Sequence, residues 1–337
     1  LLSGRPKILT AFRGEQLFSA AIQSLLQLKK PVVYFLSGHG ERQPADYDQL
    51  AGYSRLARNL ERNNIEIKTL HLGQTPALPK DGDALVIAGP VRSFSRTEIE
   101  LLETYLRASG RILLLLDPGQ DAGLNALLQT WGIRLADDRV VGLTMTGREL
   151  LVTDYGDHPI VSRLAAARIT TIFNSPRSVQ PLGAAGGPLP QAADKPRLTV
   201  LASCSEEGWA EMSPHQDPPQ FDAGVDQPGP VAVAMAVEKG ATTSMAVEMR
   251  PSRLVVLGDS SFVANGALQA GYSADLFLSA MDWLLERSEG IFSAPKTPGR
   301  IQILMSRRQF RLVNDLIVIV LPGLVVAAGL WVGWRRR

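Results

Sequence analysis

Short apolar runs alternate with helix-like segments through the N-terminal half of the chain. Buried strands are predicted where apolar residues are consecutive or alternate, at Val32–Leu36, Ile65–Leu72, Ala84–Ala88 and Arg111–Leu116. Apolar residues spaced three or four apart predict helices at Asp48–Asn63, from Ser95 to Ser109, and at Leu124–Trp131. Ser95 followed by Glu98 is typical of a capping box at a helix start. Strands that are apolar along their whole length favour a mostly parallel sheet flanked by helices, so we expect an α/β fold.

The pattern changes in the C-terminal half. Glycine and proline dominate from about Gly183 to Gly229 and predict surface loops around a single strand at Leu198–Ala202. Further strands are predicted at Val231–Val237, Ser244–Met249 and Leu254–Leu257, followed by an apolar helix at Leu276–Leu285.

An uncharged segment of 19 residues, Leu316–Trp334, lies close to the C-terminus. That length nearly matches a hydrocarbon core of about 30 Å, and spanning helices tolerate an internal proline such as Pro322. Trp331 and Trp334 lie near one end, where indole rings favour the membrane interface, and Arg335 begins an arginine tail. The segment therefore predicts a transmembrane helix in a lipid bilayer. Arginines also precede the segment, so charge alone leaves its orientation open.

Composition excludes several classes of function. The net charge of +2 over 337 residues provides no field that would favour a nucleic-acid partner. Cys204 is the single cysteine, so an internal disulfide is excluded, and the histidines and acidic residues show no metal-ligand spacing. Walker, dinucleotide-binding and zinc-protease motifs are absent from the sequence. We therefore expect no cofactor and no metal site.

Four polar residues follow predicted strands and are candidate ligand contacts: His39, Glu41, Asp117 and Asp259. In open α/β sheets, ligands bind beyond the carboxyl ends of the strands. His39 and Glu41 lie in a glycine-flanked turn and could serve acid–base chemistry, ligand binding or turn stability alone. A nucleophile would be needed for catalysis, and Gly89-Pro90 stands where an amidotransferase-like fold would place one.

Six motifs in a fixed order, followed by one terminal span, resemble the gliding-motility-type ABC transporter auxiliary proteins. The motifs are FLSGHGE at Phe35–Glu41, the long stretch Val86–Pro118, Gly132-Ile133, DYGDHPI at Asp154–Ile160, VVLGDSSFVAN at Val255–Asn265, and DLFLSAMDWL at Asp275–Leu284. The resemblance covers essentially the whole chain. The sequence departs from the family pattern at Ser261, where the family has an acidic residue, and near Ser279, where it has an asparagine.

The resemblance implies a non-ATPase auxiliary subunit that works beside an ABC permease and an ABC ATPase. It also implies an amidotransferase-like α/β domain without an established catalytic function, on the periplasmic face of a bacterial inner membrane. The arginine tail would then lie in the cytoplasm, and the chain could associate with itself or with other subunits.

We expect four regions along the chain. Residues 1–30 would be a helix left from a longer N-terminal part, residues 31–290 the α/β domain, residues 291–311 a basic stem, and residues 312–337 the transmembrane helix and tail. The preferred function is that of a membrane-tethered transporter accessory that contacts the permease and binds substrate. The alternative is a membrane-anchored hydrolase or carbohydrate-binding protein that uses the Gly38–Glu41 turn.

Overall fold

The computed structural model describes residues 30–74, 77–120, 122–144, 149–182, 196–213, 219–240, 250–270 and 274–287, and four single positions further on. The predicted N-terminal helix within residues 1–30, the predicted strand Ser244–Met249 and the predicted basic stem lie outside these residues.

Fifteen strands are found in the described ranges. They are β1 Val32–Ser37, β2 Glu66–His71, β3 Ala84–Ala88, β4 Arg111–Leu115, β5 Ile133–Leu135, β6 Arg139–Val141, β7 Glu149–Val152, β8 Asp154–Tyr155, β9 Thr171–Asn174, β10 Val179–Pro181, β11 Arg197–Ser203, β12 Trp209–Glu211, β13 Gln227–Pro228, β14 Ala232–Lys239 and β15 Ser252–Leu257. Six helices accompany them: α1 Ser54–Arg62, α2 Arg96–Arg107, α3 Asn125–Thr130, α4 Pro159–Ala166, α5 Asn265–Gln269 and α6 Asp275–Leu284.

Eight strands form the main sheet, in the order β2-β1-β3-β4-β15-β14-β11-β8. The first four pairings, from β2 to β15, are parallel, and the three from β15 to β8 are antiparallel. The α/β class is confirmed, but the sheet is mixed rather than mostly parallel. Parallel neighbours need a crossover connection, usually a helix, whereas β14 and β15 follow each other with no described helix between them and pair antiparallel.

The main sheet is covered on both faces, as the apolar strands predicted. Along β4, Leu113 and Leu115 face one apolar core and Ile112 and Leu114 face the other. One core includes buried residues of α1, α4 and α6, and the second includes buried residues of α2 and α3. All five residues of β3 and of β4 are buried, which is the pattern of central strands in a three-layer domain.

The capping box at α2 is confirmed. The backbone N–H of Glu98 donates to Ser95 Oγ, and the Ser95 N–H donates to the Glu98 carboxylate at 2.8 Å. The helix predicted at Asp48–Asn63 begins only at Ser54. Asp48 Oδ1 accepts the backbone N–H groups of Leu50 and Ala51, each at 2.8 Å, and this turn replaces the first helical residues.

The loop-rich region predicted from about Gly183 to Gly229 holds more structure than expected. Strands β12 and β13 form a three-stranded antiparallel sheet with β6. Strands of two or three residues are too short to show a periodic pattern, which is why the sequence did not indicate them. Residues 183–195 and 214–218 lie outside the described ranges.

Within the described ranges, no helix combines the length and apolar character needed to cross a bilayer. The predicted span Leu316–Trp334 lies outside the described residues except at Leu316, Pro322 and Trp331. Arg335, which follows the span, lies with its guanidinium carbon 5.4 Å from the Trp331 ring centroid.

Candidate functional site

The candidate site lies at the carboxyl edge of the main sheet. Strands β1, β3, β4 and β15 are parallel neighbours in that order, so the residues after them meet at one edge. His39 and Glu41 follow β1, Asp117 follows β4, and Asp259 follows β15. These residues therefore lie at one edge of the sheet, and their contacts divide them into two clusters. Their role as ligand contacts stays a prediction.

The first cluster surrounds the His39 ring. Glu41 Oε2 accepts the His39 backbone N–H at 2.7 Å, and Glu41 Oε1 lies 3.3 Å from His39 Nδ1 in an ion-pair contact without hydrogen-bond geometry. On the other side, His39 Nε2 lies 3.3 Å from Glu98 Oε2. Phe94 packs on the ring with a centroid separation of 4.1 Å. Two carboxylates and an aromatic ring therefore fix the orientation of the imidazole.

Glu98 belongs to this cluster, although the sequence indicated only its capping role. Burial opposes its ionisation, but hydrogen bonds from Ser95 and the neighbouring His39 hold the pKa of Glu98 below its usual range. One carboxylate thus ties the start of α2 to the turn after β1. The capping-box spacing identified the residue, but its contact with His39, 59 positions away, is not visible in any local pattern.

The second cluster centres on Asp117. Its Oδ1 accepts the Ser260 backbone N–H at 2.6 Å, and its Oδ2 accepts the Ser260 hydroxyl at 2.7 Å. Arg42 Nε donates to Ser260 Oγ at 2.6 Å and Arg42 Nη2 lies 3.7 Å from Asp117 Oδ2. Gly89, at φ +61°, passes so close that a Cβ there would lie 2.5 Å from Ser260 Oγ. The glycine after β3 therefore leaves room for the Ser260 side chain, and it provides no nucleophile at this position.

Asp259 is buried beside this cluster. Its Oδ2 accepts the Asn174 N–H at 2.6 Å, and its Oδ1 accepts the Ser261 N–H at 2.6 Å and hydroxyl at 2.8 Å. Burial, together with the neighbouring Asp117 carboxylate, raises the pKa of Asp259 to about 7 despite these three donors. Ser261, where the resemblance leads one to expect an acid, supplies two of the donors instead.

A third group of contacts fixes the loop Gln43–Gly52 that borders the Arg42 side of the edge. Asn265 is 1% exposed and donates its amide hydrogens to the carbonyl oxygens of Asp46 and Asp48 at 3.1 and 2.7 Å. The Asn265 amide oxygen accepts the Arg55 N–H at 2.8 Å. Asn265 closes one of the motifs quoted above, but the sequence assigned it no role.

The chemistry of the edge is that of a rigid polar surface. Each of the four candidate residues is engaged by protein groups, which suits orientation and binding better than proton transfer to a substrate. Cys204 is fully buried, and burial raises the pKa of its thiol, so it is not an activated nucleophile. Across the described residues, no group of three or more histidine, cysteine or acidic side chains is arranged to hold a metal ion.

The described residues form an α/β domain with an internally hydrogen-bonded polar edge at the carboxyl ends of its parallel strands. The chain belongs to the ABC transporter auxiliary family described as an ABC-type uncharacterized transport system, whose model matches residues 30–285. That match spans nearly all of the described domain.

Similarity extends to a eukaryotic transport protein. The chain is 29% identical over 171 residues to the intraflagellar transport protein 52 homolog of Mus musculus, an alignment that covers 46% of this chain and 39% of the mouse protein. The aligned part therefore spans less than half of that relative.

The solved N-terminal domain of mouse IFT52 has a similar fold. It superposes with a TM-score of 0.51 at 17% identity, over 75% of this chain and 97% of the domain. A solved exo-beta-1,4-mannosidase from an Opitutaceae bacterium reaches a TM-score of only 0.36 at 12% identity, over 79% of this chain and 37% of the enzyme. No argument about fold or function rests on the mannosidase.

Proposed function

We propose that the chain is a non-catalytic auxiliary subunit of an ABC transporter. The observation that carries the proposal is the family match over residues 30–285, which includes every strand and helix of the domain. In this proposal the domain lies on the periplasmic side of a bacterial inner membrane, the segment Leu316–Trp334 anchors it, and an ABC permease and ATPase are its partners.

The carboxyl edge supports a binding role over an enzymatic one. Glu41 has no exposed side-chain area, and His39 and Glu98 are 11% and 12% exposed, so the first cluster reaches solvent only at its margin. Asp117, at 25%, is the most open of the charged groups in ion pairs here. A substrate of the transporter would meet the Asp117–Arg42 side of the edge, where polar groups are both ordered and accessible.

The hydrolase alternative needs a nucleophile or an activated water, and the contacts of His39 do not favour one. Both ring nitrogens of His39 face carboxylates of its own domain, so neither is directed at a serine or cysteine hydroxyl or thiol. The fold similarity to an intraflagellar transport domain adds no support for hydrolysis either.

The test is recovery of the transporter with the chain. Full-length chain, tagged and expressed from its own locus, is purified in mild detergent after light crosslinking, and the co-purified proteins are identified by mass spectrometry. We expect an ABC permease and ATPase at comparable abundance to the chain. Recovery of the chain without either protein after crosslinking would contradict the proposal.

One double variant tests the hydrolase hypothesis separately from the transporter hypothesis. His39→Ala/Glu41→Ala removes the only residues on which the hydrolase hypothesis depends, and should leave permease recovery unchanged. Full cellular function in this variant would remove the hydrolase hypothesis.

A further inference from the structure

Loop Gln43–Gly52 is hydrogen-bonded to the rest of the domain at several points. Asn265 binds two of its carbonyl oxygens, and the Gly266 and Asn265 backbone N–H groups donate to the carbonyl oxygens of Gln49 and Gly52 at 2.6 and 2.9 Å. Arg42 Nη1 donates to the Leu50 carbonyl oxygen at 2.6 Å. Both ends and the middle of the loop are therefore fixed to the domain.

The same loop presents large apolar side chains to solvent. Tyr47 is 76% exposed and Leu50 is 81% exposed. Exposed apolar residues are common on protein surfaces, so their exposure alone does not indicate an interface. A rigid backbone with a protruding tyrosine and leucine is the arrangement of an interface anchor, because little conformational entropy is lost on binding.

A carboxylate lies between the two apolar side chains in sequence. Asp48 is exposed, and hydrogen bonds from the Ala51 and Leu50 N–H groups hold its pKa below the usual range, so it is ionised at neutral pH. A lipid surface would not favour this charge beside the apolar residues. The surface that fits is an apolar cleft with lysine or arginine at its rim.

The loop lies at the opposite end of the sheet from both points where the chain leaves the domain. Lys30 precedes β1, and Arg287 follows α6, whose Leu284 carbonyl oxygen accepts a hydrogen bond from Arg111 at the start of β4. Both are at the amino edge of the parallel strands. Strands of five or six residues place the carboxyl edge about 20 Å further on.

We propose that loop Gln43–Gly52 is the docking surface for an extramembrane region of a partner protein, into whose basic-rimmed apolar cleft Tyr47 and Leu50 insert. The proposal deepens the proposed function and rests on it only for the position of the membrane, which would lie beyond the amino edge. Docking at the carboxyl edge directs the partner away from the bilayer.

The test is photocrosslinking in cells with the full-length chain. A benzophenone amino acid replaces Tyr47 or Leu50 in turn. In a matched control it replaces Leu182, which directly follows β10, lies outside the loop and is 51% exposed. Each is combined with Asp48→Asn, which keeps the oxygen that accepts the Leu50 and Ala51 N–H groups but removes the charge.

We expect positions 47 and 50 to give an adduct with one protein, mapped to a peptide outside its membrane spans, and position 182 to give no such adduct. Asp48→Asn should reduce the adduct yield about two- to fivefold, the effect of one rim ion pair. A lipid adduct, an adduct between two copies of the chain, equal yields at position 182, or a yield that Asp48→Asn does not change would overturn the proposal.

The outcome is separable from that of the proposed function. Recovery of permease and ATPase without an adduct at positions 47 and 50 would overturn the docking surface alone. A charge-dependent adduct with a protein other than an ABC component, without permease recovery, would support the surface and contradict the transporter assignment.

Discussion

Two buried asparagines differ in what their side chains do. Asn265 is 1% exposed, and its amide bonds the two loop carbonyls and the start of α1. Asn63 is 2% exposed, and its side-chain nitrogen and oxygen have no hydrogen-bond partner within the described structure. The two side chains are equally buried, but only the Asn265 side chain forms hydrogen bonds that hold the loop and the start of α1 together.

Asn265→Ala should lower the free energy of unfolding by about 2–4 kcal/mol, because three partly buried backbone groups lose their partner together. Asn63→Ala is the matched control and should cost under about 1 kcal/mol, since an unsatisfied amide is removed with the side chain. Urea denaturation of the two variants measures the difference. Equal losses of unfolding free energy in the two variants would show that side-chain packing, rather than the hydrogen bonds of Asn265, determines the loss.

His158 makes stability depend on pH. Burial, with Arg197 and Arg253 nearby, lowers the pKa of His158 to about 4, while its Nδ1 accepts the Ile160 N–H at the start of α4. The folded state therefore resists a proton that the unfolded chain binds below about pH 6.5. The contribution of His158 is full above pH 6.5 and is lost as pH falls towards 4.

His158→Asn keeps a capping oxygen and removes the titration. We expect the wild type to lose stability relative to this variant as pH falls from about 7 to about 4.5. Thermal or urea unfolding at several pH values measures the difference, in which contributions from other titrating residues cancel. A difference that stays constant with pH would contradict the assignment.

A polar residue after a buried strand is a local pattern, so the sequence indicated that each candidate residue follows a strand. The sequence could not show which of these residues contact each other. Arg42 reaches Ser260 across 218 positions and Asn265 reaches Asp48 across 217, and no periodicity encodes contacts of that separation. The raised pKa of Asp259 likewise depends on Asp117, which only the folded sheet brings near.

At the scale of elements, α2 connects helix capping to the candidate site. Ser95→Ala should cost about 1 kcal/mol, the usual value of an N-cap. Glu98→Ala removes the other half of the box and the contact with His39 as well, so it should cost more than Ser95→Ala. Denaturant titrations of the two variants test the order. A smaller cost for Glu98→Ala would mean that the His39 contact contributes nothing to stability.

Elements with strong local signals were predicted well. Strand β3 has the predicted bounds, and β1 and β4 differ from prediction by one residue at the C-terminal end. The late start of α1 was missed because two sets of hydrogen bonds hold residues 46–52 out of the helix. One is the local turn at Asp48, and the other is made by Asn265, which lies far along the chain. The antiparallel half of the sheet was missed because buried antiparallel strands are as uniformly apolar as parallel ones: β14 has six consecutive buried residues.

At the scale of the whole molecule, the domain has two different ends. The amino edge holds both chain connections, and the carboxyl edge holds the polar clusters and loop Gln43–Gly52. The family match explains why such a domain would work beside a transporter. Under the proposed function, the amino edge would be the end attached to the membrane and the carboxyl edge the end that recognises a partner.

The proposed function requires that this domain is tethered to a membrane and faces the periplasm. Leu182→Cys in the full-length chain provides an exposed thiol, and the native Cys204 is buried, so the unmodified chain is a low-background control. Intact spheroplasts are labelled with a membrane-impermeant maleimide, and their membranes are then washed with alkaline carbonate. Labelling is measured on the chain that stays in the membrane pellet. We expect Leu182→Cys to be labelled before lysis, to the same extent as after it. Labelling only after lysis, or loss of the chain from the washed membranes, would contradict a membrane-tethered periplasmic domain.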